Sequence, residues 1–278
     1  EALYALALHK RVGVLALCDH DTVDGLAPMA EAAERCNRGT HRLTAIPGVE
    51  LSTGEEGRTH ILGYGVDARN PALLETLTDL RRKRWQRCAQ MVEALRRLDI
   101  VIPPGELPGE GAAGMPVGRP HIARALIRMG VVNTVAQAFD RYLGEGKPAY
   151  VPLRHMTAVQ AVTLLLNAGA APVLAHPARM RLLPQGVEAL VEALQAAGLR
   201  GVEVYHPSAS HRDIRWLEAM ARRRGLLVTG GSDFHGDSGA RAELGGLPAG
   251  WRAWKDDLAA LNDVIAAVRQ TEGRASAI

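Results

Sequence analysis

The stretch VTGGSDFHG, residues 228–236, ends an apolar run at two glycines and then sets a carboxylate and an imidazole two positions apart, Asp233 and His235. In an extended backbone residues i and i+2 point to one side, so both donors aim at a common point, the geometry of a metal chelate. The arrangement recurs along the chain. VGVLALCDHDTVDG reaches Asp19, His20 and Asp21; LTAIPGVELS carries Glu50; RTHILGYGV carries His60; APVLAHPAR reaches His176; GVEVYHPS reaches Glu203 and His206. His20, Glu50, His60, His176, Asp233 and His235 together offer only nitrogen and oxygen donors, a set suited to Mn²⁺, Fe²⁺ or Zn²⁺, and the acidic members argue for more than one ion. One histidine at a strand end is more often a hydrogen-bonded core residue, so the argument rests on number and placement. Cys18 is set aside as a ligand or nucleophile, because a buried free cysteine is among the commonest core residues.

A second kind of chemistry is written in VGRPHIARALIRMG, residues 117–130. Pro120 stands where the first turn of a helix accepts it, and Arg119 and His121 flank it. A helix N-terminus with an arginine and a histidine is a ready phosphate site, since free backbone N–H groups and the helix dipole add to the side-chain charge. Arg154, His155, Arg179 and His206 are further candidates on the same logic. The basic run LRRKRWQRCAQMVEALRRL, residues 80–98, could track a nucleic-acid backbone with Trp85 stacking on a base. Leu77, Leu80, Cys88, Met91, Leu95 and Leu98 nonetheless follow a helical stripe, which favours a packed amphipathic helix with a solvated basic face.

The elements that must position these groups are strands alternating with helix-like segments over residues 24–37, 156–168, 186–197, 209–224 and 256–269. That alternation predicts an α/β fold with a parallel sheet or barrel, in which chemical residues gather where the strands stop. Residues 1–10 read as the later turns of an amphipathic helix, with Leu3, Leu6 and Ala7 on one side. Residues 68–155 break the alternation with about four helical patterns and two Gly/Pro clusters, IPPGELPGEGAAGMP and GEGKP. The expected division is therefore a barrel of residues 1–67 and 156–278 and a helical insertion, 68–155, capping its mouth.

Bulk properties exclude several classes. With 278 residues, 47% of them hydrophobic, the chain can bury a sizeable core and does not read as disordered. A formal net charge of +3 suits an anionic ligand but falls short of a nucleic-acid-coating protein. Cys18, Cys36 and Cys88 form no CxxC pair and leave an odd one over, which points to a reducing cytoplasm without structural disulfides. There is neither a long apolar run for a membrane span nor a signal-peptide pattern.

The motifs LCDHDT, IPGVELS, THILGYG, VLAHP and GSDFHG, in this order and spacing, resemble the PHP (polymerase and histidinol phosphatase) domain over nearly the whole chain. GRPHIARALI, YVP and VEVYHPS resemble one branch in particular, the bacterial 3′,5′-nucleoside bisphosphate phosphatases and the 5′-to-3′ exoribonuclease of short RNA ends known as RNase AM. The resemblance implies a distorted seven-stranded β/α barrel that hydrolyses phosphoesters at two or three divalent metals, Mn²⁺ first among them. It makes His20, Glu50, His60, His176, Asp233 and His235 metal ligands and Arg119 and His121 phosphate contacts; Asp19, His20 and His235 are the expected catalytic residues, and Arg154 and His206 further expected substrate contacts. The family's usual Thr stands as Cys18 here, and its opening strand, with a His-x-His pair and a following Ser-Asp-Gly, is not in this sequence. The expectation is therefore a barrel lacking its first strand and three ligands. The expected substrate is a nucleoside 3′,5′-bisphosphate or a short RNA 5′ end, acted on by a monomer with no membrane partner. A histidinol-phosphatase-like or general PHP phosphatase, and a non-catalytic nucleotide-binding module, are the alternatives.

Overall fold

The computed structural model describes residues 2–36, 43–54, 57–107, 109, 117–180, 182–236, 242–246 and 254–275. Among the described residues, six strands follow one another across a curled sheet in sequence order: β1 (Val14–Leu17), β2 (Thr44–Thr53), β3 (Thr59–Tyr64), β4 (Ala171–Leu174), β5 (Gly201–Tyr205) and β6 (Leu227–Gly230). The α/β class is as expected, but the sheet is mixed. β3 runs antiparallel to both β2 and β4, while β1–β2, β4–β5 and β5–β6 are parallel. The short link from Gly54 to Arg58 forces this, because a parallel return needs a crossover of a dozen residues or more. The reversal serves the site: His60 is at the start of β3, and in an antiparallel strand the start lies at the end of the sheet where its neighbours finish.

Helices α1 (Ala2–His9), α2 (Leu26–Cys36), α6 (Ala158–Asn167), α7 (Pro184–Ala196), α8 (His211–Arg223) and α9 (Trp254–Ala275) surround the sheet. Strand alternation sorts the side chains. Val49, Leu51, Ile61, Leu174, Val202, Val204 and Val228 pack outward with Leu165, Val191, Leu217 and Met220 of the covering helices. Ile46, Leu62, Tyr64 and Val173 face the other way, with Leu261 and Ile265 of α9. Glu50, His60 and Glu203 alternate with the outward set, so the pleat directs them inward with the second group. Burying the larger apolar side chains contributes roughly 1.5–3 kcal/mol each before the entropy of ordering them is subtracted.

Between β3 and β4 stand α3 (Pro71–Arg96), α4 (Arg119–Arg128) and α5 (Val135–Ala138), the last continuing into a π-helical turn over Phe139–Leu143. Asn70 caps α3 through its side chain, and Pro71 opens the first turn, so the start of this long helix is locally encoded. Its first half sends Leu73 and Leu77 into the sheet core; its second half sends Cys88, Met91 and Leu95 into a separate cluster with Ile122, Leu126, Ala138 and Leu143. The packed-helix reading of the basic run holds, with two differences. Arg87 is buried and donates to the Val151 carbonyl at 2.6 Å, and Leu98 lies past the helix end with 40% of its surface exposed. The latter part of the first Gly/Pro cluster lies outside the described residues. Cys18 and Cys88 are free thiols.

Candidate metal centre

The loop after β1 is held onto β2 by backbone: Glu50 N donates to the Asp19 carbonyl (3.1 Å), and Asp21 N to the Glu50 carbonyl (2.9 Å). His20 thereby lies beside Glu50, whose register puts it diagonal to His60 on the same face of the β2–β3 hairpin. Glu50 Oε1 is 2.6 Å from His60 Nδ1 and 3.0 Å from His176 Nε2, and those two nitrogens are 3.1 Å apart. Ring centroids run His20–His60 4.9 Å, His60–His176 5.0 Å, His176–His206 5.6 Å and His20–His235 5.6 Å. Donor atoms of His20, Glu50 and His60 all lie within 4.8 Å of one another.

The chemistry of these contacts fits a cation. His60 Nε2 is 2.7 Å from the Gly57 carbonyl and must donate to it, which leaves the lone pair of a neutral ring on Nδ1, facing a carboxylate oxygen. Two acceptors at that distance need positive charge on or between them. Burial pulls His60 down, but the hydrogen bond and charge of Glu50 outweigh it and hold the ring above the ordinary histidine value. Burial would raise Glu50; hydrogen bonds from His176 and His60 reverse this and keep it well below the usual carboxylate range. Burial lowers His20, whose Nδ1 is buried and accepts no hydrogen bond, with Glu50 Oε2 3.7 Å away. A buried carboxylate with imidazole nitrogens turned on it suits a divalent ion, and His20, Glu50, His60 and His176 are the residues that could hold one.

Asp233 and His235 complete the ring from the β6 side. His235 donates Nδ1–H to the Asp233 carbonyl at 2.8 Å, which fixes the tautomer and leaves the lone pair on Nε2. The Asp233 carboxylate accepts from Arg179 at 2.5 Å and lies 3.8 Å from His206 Nε2, and His206 holds it below its ordinary value against the opposing effect of burial. Three residues of these loops, Asp21, His176 and Asp233, have φ of 52°, 29° and 51°. Non-glycine residues in that region cost on the order of 1–3 kcal/mol each and persist where the surroundings over-determine them.

A cavity of about 1750 Å³ joins this cluster to the helical segment between β3 and β4 and runs on along the inner face beside β1 and β6. Asp19, His20, Glu50, His60, His176, Asp233 and His235 line it from the sheet; Arg84, Arg87, Arg119, His121, Arg124 and His155 line it from the insertion. Gly118 and His121 cap α4 together: Gly118 N donates to His121 Nδ1 at 3.2 Å, while His121 Nε2 is buried without a hydrogen-bond partner. Arg119 lies over the Phe139 ring at 5.4 Å. Arg154 is exposed and outside the cavity wall, and His206 is buried beside His176 and Asp233 rather than near α4. Asp19 is half-buried, and burial raises its carboxyl.

Two of the acids at the strand ends, given no role among the expected ligands and contacts, also shape the site. Asp21, 2% exposed, accepts from Ser52 N at 2.8 Å and pairs with Arg84, tying the His20 loop to α3. Glu203 is buried on β5, accepts from His176 N at 2.8 Å, and is pushed up to about 7 by burial. The signal for Glu203 is present in GVEVY, an acid inside an otherwise apolar strand.

An α/β sheet that gathers imidazoles and carboxylates opposite arginines across one cavity is the arrangement of a metal-dependent hydrolase. No family model matches the chain. It is 37% identical over 265 residues to the 5′-3′ exoribonuclease Rnm of Escherichia coli strain K12, covering 92% of this chain and 88% of that protein. It is 36% identical over 241 residues to a 3′,5′-nucleoside bisphosphate phosphatase of Chromobacterium violaceum, covering 86% and 82%. Among solved structures, one from Bifidobacterium adolescentis described as a metal-dependent phosphoesterase superposes with a TM-score of 0.78 at 29% identity, covering 95% of this chain and 90% of that one. A Chromobacterium violaceum structure called an amidohydrolase, with bound sulfate and no metal, gives 0.73 at 34% identity over 92% and 89%. The chain belongs to the PHP-type phosphoesterase family of the Rnm exoribonuclease and the nucleoside bisphosphate phosphatase, and it is a hydrolase. No helix among the described residues is long and apolar enough to cross a membrane.

Proposed function

We propose that this chain hydrolyses phosphate esters of nucleoside 3′,5′-bisphosphates, and the terminal ester of short 5′-phosphorylated RNA, at a divalent-metal cluster in which Mn²⁺ is the working ion. The observation that carries the reading is that the acid–imidazole ring and the Arg119–His121 helix start face one cavity. His20, Glu50, His60, His176, Asp233 and His235 hold two or three ions. Metals in such a site supply Lewis acidity to the phosphoryl group and to the attacking water. Asp19, beside His20 and raised by burial, is suited to exchange a proton at its carboxylate oxygen with the water or the leaving oxygen. Arg119 and His121 grip the second phosphate, so specificity comes from two phosphates held at a set distance. Arg154 meets the outlying part of an RNA chain, and His206 orients Asp233 toward the reacting phosphate. Residues 68–155 act as a cap on a barrel of residues 1–67 and 156–278, and a seventh strand would lie beside β1, an edge strand of the sheet.

Phosphate release from adenosine 3′,5′-bisphosphate, a short 5′-phosphorylated RNA and histidinol phosphate, each with Mn²⁺, tests the reading. Turnover should be fastest on the bisphosphate or the RNA. Preference for histidinol phosphate would assign the chain to the single-phosphate branch, and no turnover on any would leave a binding module.

A further inference from the structure

We infer that Glu203 is a positioning residue that holds two ligand-bearing loops in register, and that Gly231 is a glycine because this carboxylate needs its space. The inference rests on the reading that His176 and Asp233 hold metal. Glu203 is central in β5, with 5% of its surface exposed and its side chain on the inner face. Its Oε2 accepts from His176 N at 2.8 Å, at the residue whose φ is 29°. That hydrogen bond acts on the backbone of the strained residue, so it fixes the direction in which the His176 ring leaves β4. Its Oε1 reaches the other loop. A Cβ built on Gly231 would stand 2.3 Å from Glu203 Oε1, closer than real Cβ contacts allow.

Backbone freedom does not explain glycine at 231. The residue is not among the positive-φ glycines, and its N–H makes an ordinary bond to the Tyr205 carbonyl at 3.0 Å. What the absent side chain supplies is contact between the β6 loop, two residues before Asp233, and Glu203. One buried carboxylate therefore sets the β4 loop by a hydrogen bond and the β6 loop by packing. His176 and Asp233 take their positions from it, although Glu203 need not touch an ion. Groups behind metal ligands commonly change metal affinity by roughly 10–100-fold when removed.

The test is Mn²⁺ affinity of the full chain by calorimetry, with thermal melting alongside, for wild type, Glu203→Gln, Glu203→Ala, Gly231→Ala and the Glu203→Ala/Gly231→Ala pair. Gln keeps an acceptor for His176 N and should bind within about threefold of wild type. Glu203→Ala should weaken binding by roughly tenfold or more. Gly231→Ala removes no atom, and should weaken binding by roughly tenfold in wild type but by less than about twofold once Glu203 is truncated. That dependence separates positioning from general destabilisation, and if Glu203→Ala does not fold, Gly231→Ala in a Glu203→Asp background, whose shorter side chain withdraws from Gly231, should show the same relief. Wild-type affinity in Gly231→Ala, or an equal loss with and without Glu203, overturns the inference while leaving the metal centre standing. Absence of Mn²⁺ binding by wild type overturns both.

Discussion

The two walls of the cavity are built to different standards. The sheet wall is buried and cross-tied: Glu50 lies 6% exposed, within 3.0 Å of two histidines, and its loops carry residues in unfavourable backbone conformations. The wall from the helices between β3 and β4 presents Arg119, His121 and Arg124 from a helix start packed in its own cluster, with Arg119 over the Phe139 ring. Metal chemistry needs donors placed to within fractions of an ångström, whereas a grip on a distant phosphate tolerates adjustment. The sheet wall should therefore fail abruptly when altered and the helical wall by degrees.

The largest effect should come from the sheet wall. Asp233→Ala should lower phosphate release by roughly two orders of magnitude or more and reduce bound metal, with the fold retained because the core clusters do not include it. Phosphate assay, metal analysis and melting together check this; near-normal turnover with full metal content would remove Asp233 from the ligand set. Next comes the tie between the walls. Arg84→Ala strands the Asp21 carboxylate in a buried site and should cost about 3 kcal/mol of stability, measured by denaturant unfolding. A stability unchanged by that substitution would show the walls to be independent. The smallest effect should come from the helical wall. Arg119→Ala should weaken use of a doubly phosphorylated substrate by about 1.5–3 kcal/mol in kcat/KM, spare metal content, and affect a monophosphate less. Equal losses on both substrates would place Arg119 at the cleaved phosphate or in a structural role.

The same contrast governs what could be read from the sequence. The imidazoles and carboxylates were legible because each interrupts or ends an apolar run, and a charge there demands a reason. Helices α2, α6, α7 and α8 are legible as helix-like segments to within two residues at each end, whereas α9 runs on to Ala275, past the expected end at 269. The direction of β3 was not legible, since alternation carries no polarity; only the short link before Thr59 encodes the reversal. The positive φ of His176 and Asp233, and the service Glu203 and Gly231 render them, depend on loops meeting across the sheet. The sequence puts Arg87 on a solvated basic face, and its burial is decided instead by a distant carbonyl, that of Val151.

The central claim is that the strand-end ring is a divalent-metal centre that hydrolyses a phosphate ester of a doubly phosphorylated nucleotide. Its most direct test is phosphate release from adenosine 3′,5′-bisphosphate by protein stripped with chelator, verified metal-free, and then titrated with Mn²⁺. Stripped protein should be inactive, and activity should return in parallel with Mn²⁺ bound, in wild type but not in Asp233→Ala. Full turnover by verified metal-free protein, or recovery in Asp233→Ala equal to wild type, would contradict the account.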